Sequence, residues 1–286
     1  MNRSPLESQP DQKLASWIRQ MSYEVLPTRK AIDRLADIPA SHDIRVTCRP
    51  GGIKDTLDFV ENATSIDQRR VIPHLAARRI LGPEHLTSTL DLLVKNNIKK
   101  VFVMAGDGEP QSSEFTQTSD ILRRIVEYGS PFDQIGIAGY PEGNPVYHDD
   151  ATEILLRKQE YAAKNRLNLE IVTQMCFEAD TLVGWLADIR ARGVELPVRV
   201  GTVGRLSPDS MLKVIQAIGF KDSIAFLKSK PGLATTIAGN SAIGYQPKEF
   251  LSKLALADTP NGNLRVSGLS LFTLGNISGN LDYFRN

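Results

Sequence analysis

A few polar residues in this chain sit where apolar neighbours make them costly to bury without a partner or a ligand. Glu24 stands inside the run Ser22–Leu26. A carboxyl enclosed by an apolar wall is expected to keep its proton near neutrality, which suits general-acid chemistry; the plainer alternative is a buried glutamate paired with an arginine. Asp107 follows the run Lys100–Ala105 and lies between Gly106 and Gly108. Glycines there let a ligand approach the backbone, or simply make a tight turn. Gln174, in the run Leu169–Met175, offers a donor and an acceptor together. That suits an amide-like ring edge, or equally a core amide bonded to backbone. His74, in Val71–Leu75, is as readily structural as ligand-facing. Thr47, Tyr140 and Thr273 stand at the ends of three further runs.

Such residues need rigid elements to aim them. The candidate strands are Ser22–Leu26, Ile44–Cys48, Val71–Leu75, Lys100–Ala105, Gln134–Tyr140, Leu169–Met175, Val198–Val203 and Leu269–Leu274. They are short and rich in Val, Ile and Leu, as buried parallel strands are. Amphipathic stretches separate them, with clear punctuation. Ser119 is a cap before Ile121, Leu122, Ile125 and Val126, and Gly129 a stop. Asp149 or Asp150 caps a helix through Leu155 and Tyr161, and Asp180 precedes Leu182, Leu186 and Ile189. Ser207-Pro208 opens a stretch through Leu212 and Ile215. Eight such units predict a (β/α)8 TIM barrel, whose functional residues lie at the C-terminal ends of the strands. A doubly wound sheet is the alternative, but no GxGxxG turn follows an early strand. Two extra helical stretches, Ser223–Lys228 and Lys248–Leu256, lie between strands seven and eight. The expected organisation is a flexible tail over residues 1–15 and one barrel domain over 16–286.

Composition narrows the partners. The chain has 286 residues, with 34 basic and 33 acidic side chains and no like-charge block. That argues against nucleic acid or an anionic membrane as the main partner, while leaving small anions open. Cys48 and Cys176 are not in a CxxC pair, no zinc spacing is present, and both read as small apolar fillers. No signal peptide and no run of transmembrane length is recognisable, so a cytoplasmic protein is expected. Exposed barrel helices often support pairing of copies.

Five blocks then carry a resemblance. They are Ser22-Tyr23-Glu24-Val25-Leu26-Pro27, Pro73-His74-Leu75, Gly106-Asp107, Ala138-Gly139-Tyr140-Pro141-Glu142-Gly143 and Thr173-Gln174-Met175-Cys176-Phe177. In this order, one per strand end, they resemble the catalytic domain of the methylenetetrahydrofolate reductases, from roughly residue 20 to residue 275. The resemblance implies a TIM barrel of the short bacterial type. It implies hydride transfer between NADH or NADPH and methylenetetrahydrofolate through FAD, giving methyltetrahydrofolate. Glu24 would be the general acid that protonates N10 of the folate and opens its five-membered ring to an iminium. Asp107 would lie near flavin and pterin, and Gln174 would read the pterin edge. Thr47, His74, Gly106 and Tyr140 would contact the flavin, and Arg157 and Lys158 would neutralise its diphosphate or else form a solvated face. Leu206 and Leu274 would be apolar walls for the folate.

The chain departs from the family's pattern mainly where the flavin diphosphate would bind. Ala105 replaces an arginine, Asn144-Pro145 a His-Pro pair, and Arg157-Lys158-Gln159 a run of lysines. An arginine supplies a planar, permanently charged donor fork suited to phosphate. Three variants follow from these departures: a flavin-independent reductase passing hydride directly from nicotinamide to folate, an enzyme run mainly toward methyltetrahydrofolate oxidation, or a folate-binding protein without redox turnover.

Overall fold

The computed structural model describes residues 8–49, 51–63, 66–143, 150–207, 210, 214, 245–258 and 264–285. Eight parallel strands close into a barrel in chain order. They are β1 (Ser22–Val25), β2 (Ile44–Val46), β3 (Val71–Ala76), β4 (Lys100–Met104), β5 (Gln134–Gly139), β6 (Leu169–Thr173), β7 (Val198–Val203) and β8 (Val266–Phe272). The described helices are α1 (Gln9–Arg19), α2 (Arg29–Ile32), α3 (Lys54–Asn62), α4 (Pro83–Lys95), α5 (Thr118–Glu127), α6 (Ala151–Asn165), α7 (Ala179–Ala191), α8 (Pro247–Ala257) and α9 (Ile277–Arg285).

Each strand has two buried faces, and the alternation of side chains separates them. Tyr23, Val25, Ile44, Val46, Val101, Val103, Ile135, Ile137, Leu269 and Leu271 point outward into the large core shared with the helices. Ile72, Phe102 and Val172, with Met104 and Ala138, form a second, small apolar cluster inside the barrel. The outward face supplies most of the stability, at about 1.5–3 kcal/mol for each fully buried large aliphatic or aromatic side chain. The inward face is therefore free to carry polar groups. Register sets which of them meet: Glu24 pairs with Arg45 of β2 and with Phe272 of β8, His74 with Phe102, and Phe102 with Gly136.

Several boundaries differ from the sequence expectation for local reasons. Residues 9–15, expected within a flexible tail, are helical. Ser8 caps α1, a proline occupies its first turn, Trp17 is buried, and Lys13 pairs with Asp258 at 2.9 Å. The helix after β4 starts one residue before Ser119. The Asp120 carboxylate accepts from the N–H groups of Thr116 and Gln117, which makes Gln117 the cap residue. Of the two aspartates before α6, Asp150 is the cap, accepting from Thr152 and Glu153 N–H. Strand β8 stops at Phe272, because Leu274 turns into the left-handed region at φ 50°. The stretch Lys248–Leu256 is α8, which packs against α1 and α7 on the outside of the barrel. Ser207 Oγ accepts from Ser210 N–H, while the rest of the helix expected there lies outside the described residues, as do Ser223–Lys228 and Asn144-Pro145. Among the described residues no helix is long and apolar enough to cross a membrane.

Candidate active site

A cavity of about 240 Å³ opens at the C-terminal ends of the strands. It gathers Glu24 (β1), Thr47 (after β2), His74 (β3), Gly106 and Asp107 (after β4), Tyr140 (after β5) and Gln174 (after β6). Four sequence-predicted residues do not line it. Leu206 exchanges two backbone hydrogen bonds with Tyr245. Leu274 is 45% exposed in the turn after β8. Arg157 is exposed on α6 and paired with Glu153 at 3.1 Å. Lys158 is half-buried on the same helix, and desolvation pulls its ammonium down to about 8.

The carboxyl of Glu24 is enclosed, with 12% of its side chain exposed. Burial pushes it up to about 8, against the opposing pull of Arg45. It therefore holds a proton at neutral pH. His74 is buried beside it, its Nε2 at 4.0 Å from Glu24 Oε2. That separation is too long for a hydrogen bond. Burial first, and Arg45 second, hold the imidazole well below its ordinary value, so His74 is neutral. Its ring leans on Phe102 with centroids 4.6 Å apart.

Several polar atoms around this pair are buried without a hydrogen-bond partner among the described residues. They include Thr47 Oγ1, His74 Nε2 and Arg45 Nη1. Orphaned buried groups are rare in folded proteins, because each costs about 1–3 kcal/mol. Three on one cavity wall mark a surface shaped for a ligand. Gln174 folds its Oε1 back onto Met175 N–H at 3.0 Å, and its Nε2 makes no hydrogen bond among the described residues. Asp107 stands exposed at the rim, and Arg79 Nη2 donates to its carbonyl at 2.6 Å. Gly106 adopts φ 85°, and a Cβ there would come 2.9 Å from Ala76 Cβ. Only glycine lets this loop lie flat across the end of β3.

Beneath the cavity lies a charged layer that the sequence reading missed. Glu170 of β6 accepts from Arg199 Nε at 3.0 Å, Arg45 Nη2 at 3.3 Å and Ser267 Oγ at 2.8 Å. Arg45 Nε donates to Ser22 Oγ at 3.0 Å. Burial alone would push Glu170 up, but Arg199 and Arg45 outweigh it and hold the carboxylate below its ordinary value. Burial likewise pulls Arg45 down to about 10, partly restored by Glu170. The available signal was a charge in the middle of each apolar run: Ile44-Arg45-Val46, Leu169-Glu170-Ile171 and Val198-Arg199-Val200. Cys48, expected as a filler, lines the cavity, whereas Cys176 is buried and donates to Glu142 Oε1 at 3.3 Å.

The site thus combines an enclosed proton donor, a neutral imidazole, an amide and a carboxylate at the rim. Comparison with known proteins identifies relatives. A sequence profile for methylenetetrahydrofolate reductase matches residues 23–216. Methylenetetrahydrofolate reductase 2 of Saccharomyces cerevisiae is 25% identical over 184 residues, covering 59% of this chain and 30% of that protein. Methylenetetrahydrofolate reductase 1 of Schizosaccharomyces pombe is 24% identical over 221 residues, covering 70% of this chain and 35% of that protein. The chain therefore spans about a third of the length of these curated relatives.

Proposed function

Because this chain belongs to the methylenetetrahydrofolate reductase family, we propose that it is an oxidoreductase interconverting 5,10-methylenetetrahydrofolate and 5-methyltetrahydrofolate. The observation that carries the reading is the protonated Glu24 carboxyl at the head of a cavity ringed by unpartnered polar atoms. A carboxylic acid that keeps its proton to about pH 8 can deliver it to a folate nitrogen at neutral pH. The proton leaves Glu24 for N10, the N10–methylene bond breaks, and the methylene carbon becomes an iminium on N5. Hydride addition to that carbon then gives the methyl group. Gln174, with a free Nε2 and a carbonyl, suits the pterin amide edge, and Asp107 at the rim suits its amino side. Leu206 and Leu274 are the proposed apolar contacts for the rest of the folate.

The residues present also fit the ring end of a flavin. Thr47 Oγ1 and His74 Nε2 are orphaned in the wall, Tyr140 adds a ring, and Gly106 lines the same cavity. When bound, FAD would relay the hydride between NADH or NADPH and the folate carbon. Arg157 and Lys158 are the proposed holders of its diphosphate.

One observation favours a second reading, hydride passed directly from nicotinamide to folate. Gln159, where the resemblance leads to expect a lysine, is committed to structure. Its Oε1 accepts from Glu195 and Leu196 N–H, and its Nε2 donates to Gly193 O. Arg157 is likewise paired with Glu153.

The absorbance spectrum of the purified protein, followed by a FAD titration, separates the two readings. Under the first, Glu24→Gln lowers methylenetetrahydrofolate reduction by about 10²–10⁴-fold while nicotinamide-to-flavin transfer persists. Full folate turnover in that variant excludes Glu24 as the acid.

A further inference from the structure

We propose that Arg45 is a positioning residue for the Glu24 proton: a buried cation on the neighbouring rung that keeps the carboxyl able to release its proton into the cavity and take it back. This rests on the reading of Glu24 as the acid in folate chemistry.

Three observations carry it. Glu24 and Arg45 occupy one rung of β1 and β2, and both line the cavity. The Arg45 side chain is 2% exposed, yet among the described residues its Nη1 has no hydrogen-bond partner. The guanidinium crosses the barrel toward β5, where a Cβ on Gly136 would lie 3.4 Å from Nη1. Finally, Arg45 and Arg199 share one carboxylate, Glu170. Two cations against one anion leave this layer of the barrel one carboxylate short. In a weakly screened interior that surplus charge acts on the nearest group able to lose a proton.

The groups facing Glu24 single out Arg45 as the source. From β3 comes His74, which is neutral. From β8 come Phe272 and Ser270, which carry no charge. Across the barrel, Glu170 is paired twice and Arg199 lies against it, while Gln174 is uncharged. Asp107 is at the exposed rim, Glu142 after β5 accepts from Cys176 Sγ at 3.3 Å, burial pushes the Cys48 thiol up and keeps it neutral, and Asp43, before β2, is paired with Lys100 at 2.7 Å. Arg45 is the charge that opposes burial at Glu24. Burial alone would lock the proton on. A turnover needs it to leave for the folate nitrogen and later be regained. When it leaves, the new carboxylate supplies the anion that the two arginines lack, so the field is already oriented for the charge that develops.

The test is a carboxyl ¹³C NMR titration of the full chain labelled at glutamate, with Glu24→Gln identifying the Glu24 signal, run beside the pH profile of methyltetrahydrofolate oxidation. Arg45→Met should move the Glu24 titration upward by about one pH unit or more. Arg45→Lys should return most of that shift. Glu170→Gln, which frees both arginines from their shared anion, should move it downward. The opposed signs separate this role from mere packing, and the Lys and Gln variants decide the matter if Arg45→Met does not fold. A Glu24 titration within about 0.2 unit of wild type in Arg45→Met, or no downward move in Glu170→Gln, overturns the proposal. If the NMR titration shifts while Glu24→Gln still turns over folate, the Arg45–Glu24 coupling stands and the general-acid reading fails.

Discussion

Glu24 holds its proton because a carboxylate in that enclosure loses more hydration than Arg45 returns. The same imbalance has a consequence for stability. The folded group releases its proton at about 8, above its ordinary 4.5. Its stabilising contribution is therefore complete below about pH 4.5 and is lost as pH rises through the folded value. Replacing Glu24 by Gln removes that linkage. Wild type should lose stability relative to Glu24→Gln between about pH 5 and pH 8, by several kcal/mol on the order of the shift. Above that range the difference should stay constant. Thermal melts of both proteins from pH 5 to 9 check it, and a difference that does not change with pH would show that Glu24 is not enclosed. Glu24 and His74 were legible in the sequence because each is a lone polar group inside an apolar run. Arg45, Glu170 and Arg199 look the same on paper. A charge alternating with apolar residues along a strand ordinarily faces water, and only barrel closure turns that second face into an interior.

At the scale of elements, the strands were readable nearly to the residue, since Val, Ile and Leu on their outward faces must meet the helices. Their ends were less so. Leu274 leaves β8 through a left-handed turn, and Gln117 caps α5 with help from Asp120, neither of which periodicity reports. The N-terminal segment read as a tail because it is polar, yet Trp17 and the Lys13–Asp258 pair dock α1 against the barrel. The inward layer is built as tightly as the outward one. A Cβ at Gly136 would stand 2.8 Å from Phe102 Cδ2 as well as near Arg45. Gly136→Ala should destabilise the protein by about 1–3 kcal/mol through overpacking. It should also disturb the cavity floor. Chemical denaturation measures the first effect; an unchanged midpoint would mean that Phe102 and the guanidinium have room to shift.

For the molecule as a whole, the nearly balanced charge and the cavity at the strand ends point to a small ligand rather than a polymer. A ligand that binds only the folded barrel stabilises it by mass action, by about 2.7 kcal/mol at a hundred times its dissociation constant. Saturating methyltetrahydrofolate should raise the melting temperature by about 5 °C or more in a chain this long. FAD should do so under the flavin-dependent reading and leave it unchanged under the direct one. Scanning fluorimetry with each compound alone gives both answers. A chain that melts identically with folate present and absent would leave the cavity without its proposed occupant.

The barrel closes where β1 meets β8, and Thr273 Oγ1 donates to the carbonyl of Glu24 at 2.7 Å across 249 positions of chain. Among the described residues no hydrogen bond spans more of the chain, and contacts between such distant residues form slowly. During synthesis Glu24, on β1, emerges before the other seven strands and waits for β8. Until Phe272 has left the ribosome its carboxyl has no enclosing wall on that side. The enclosure that holds the Glu24 proton is therefore complete only when β8 closes the barrel.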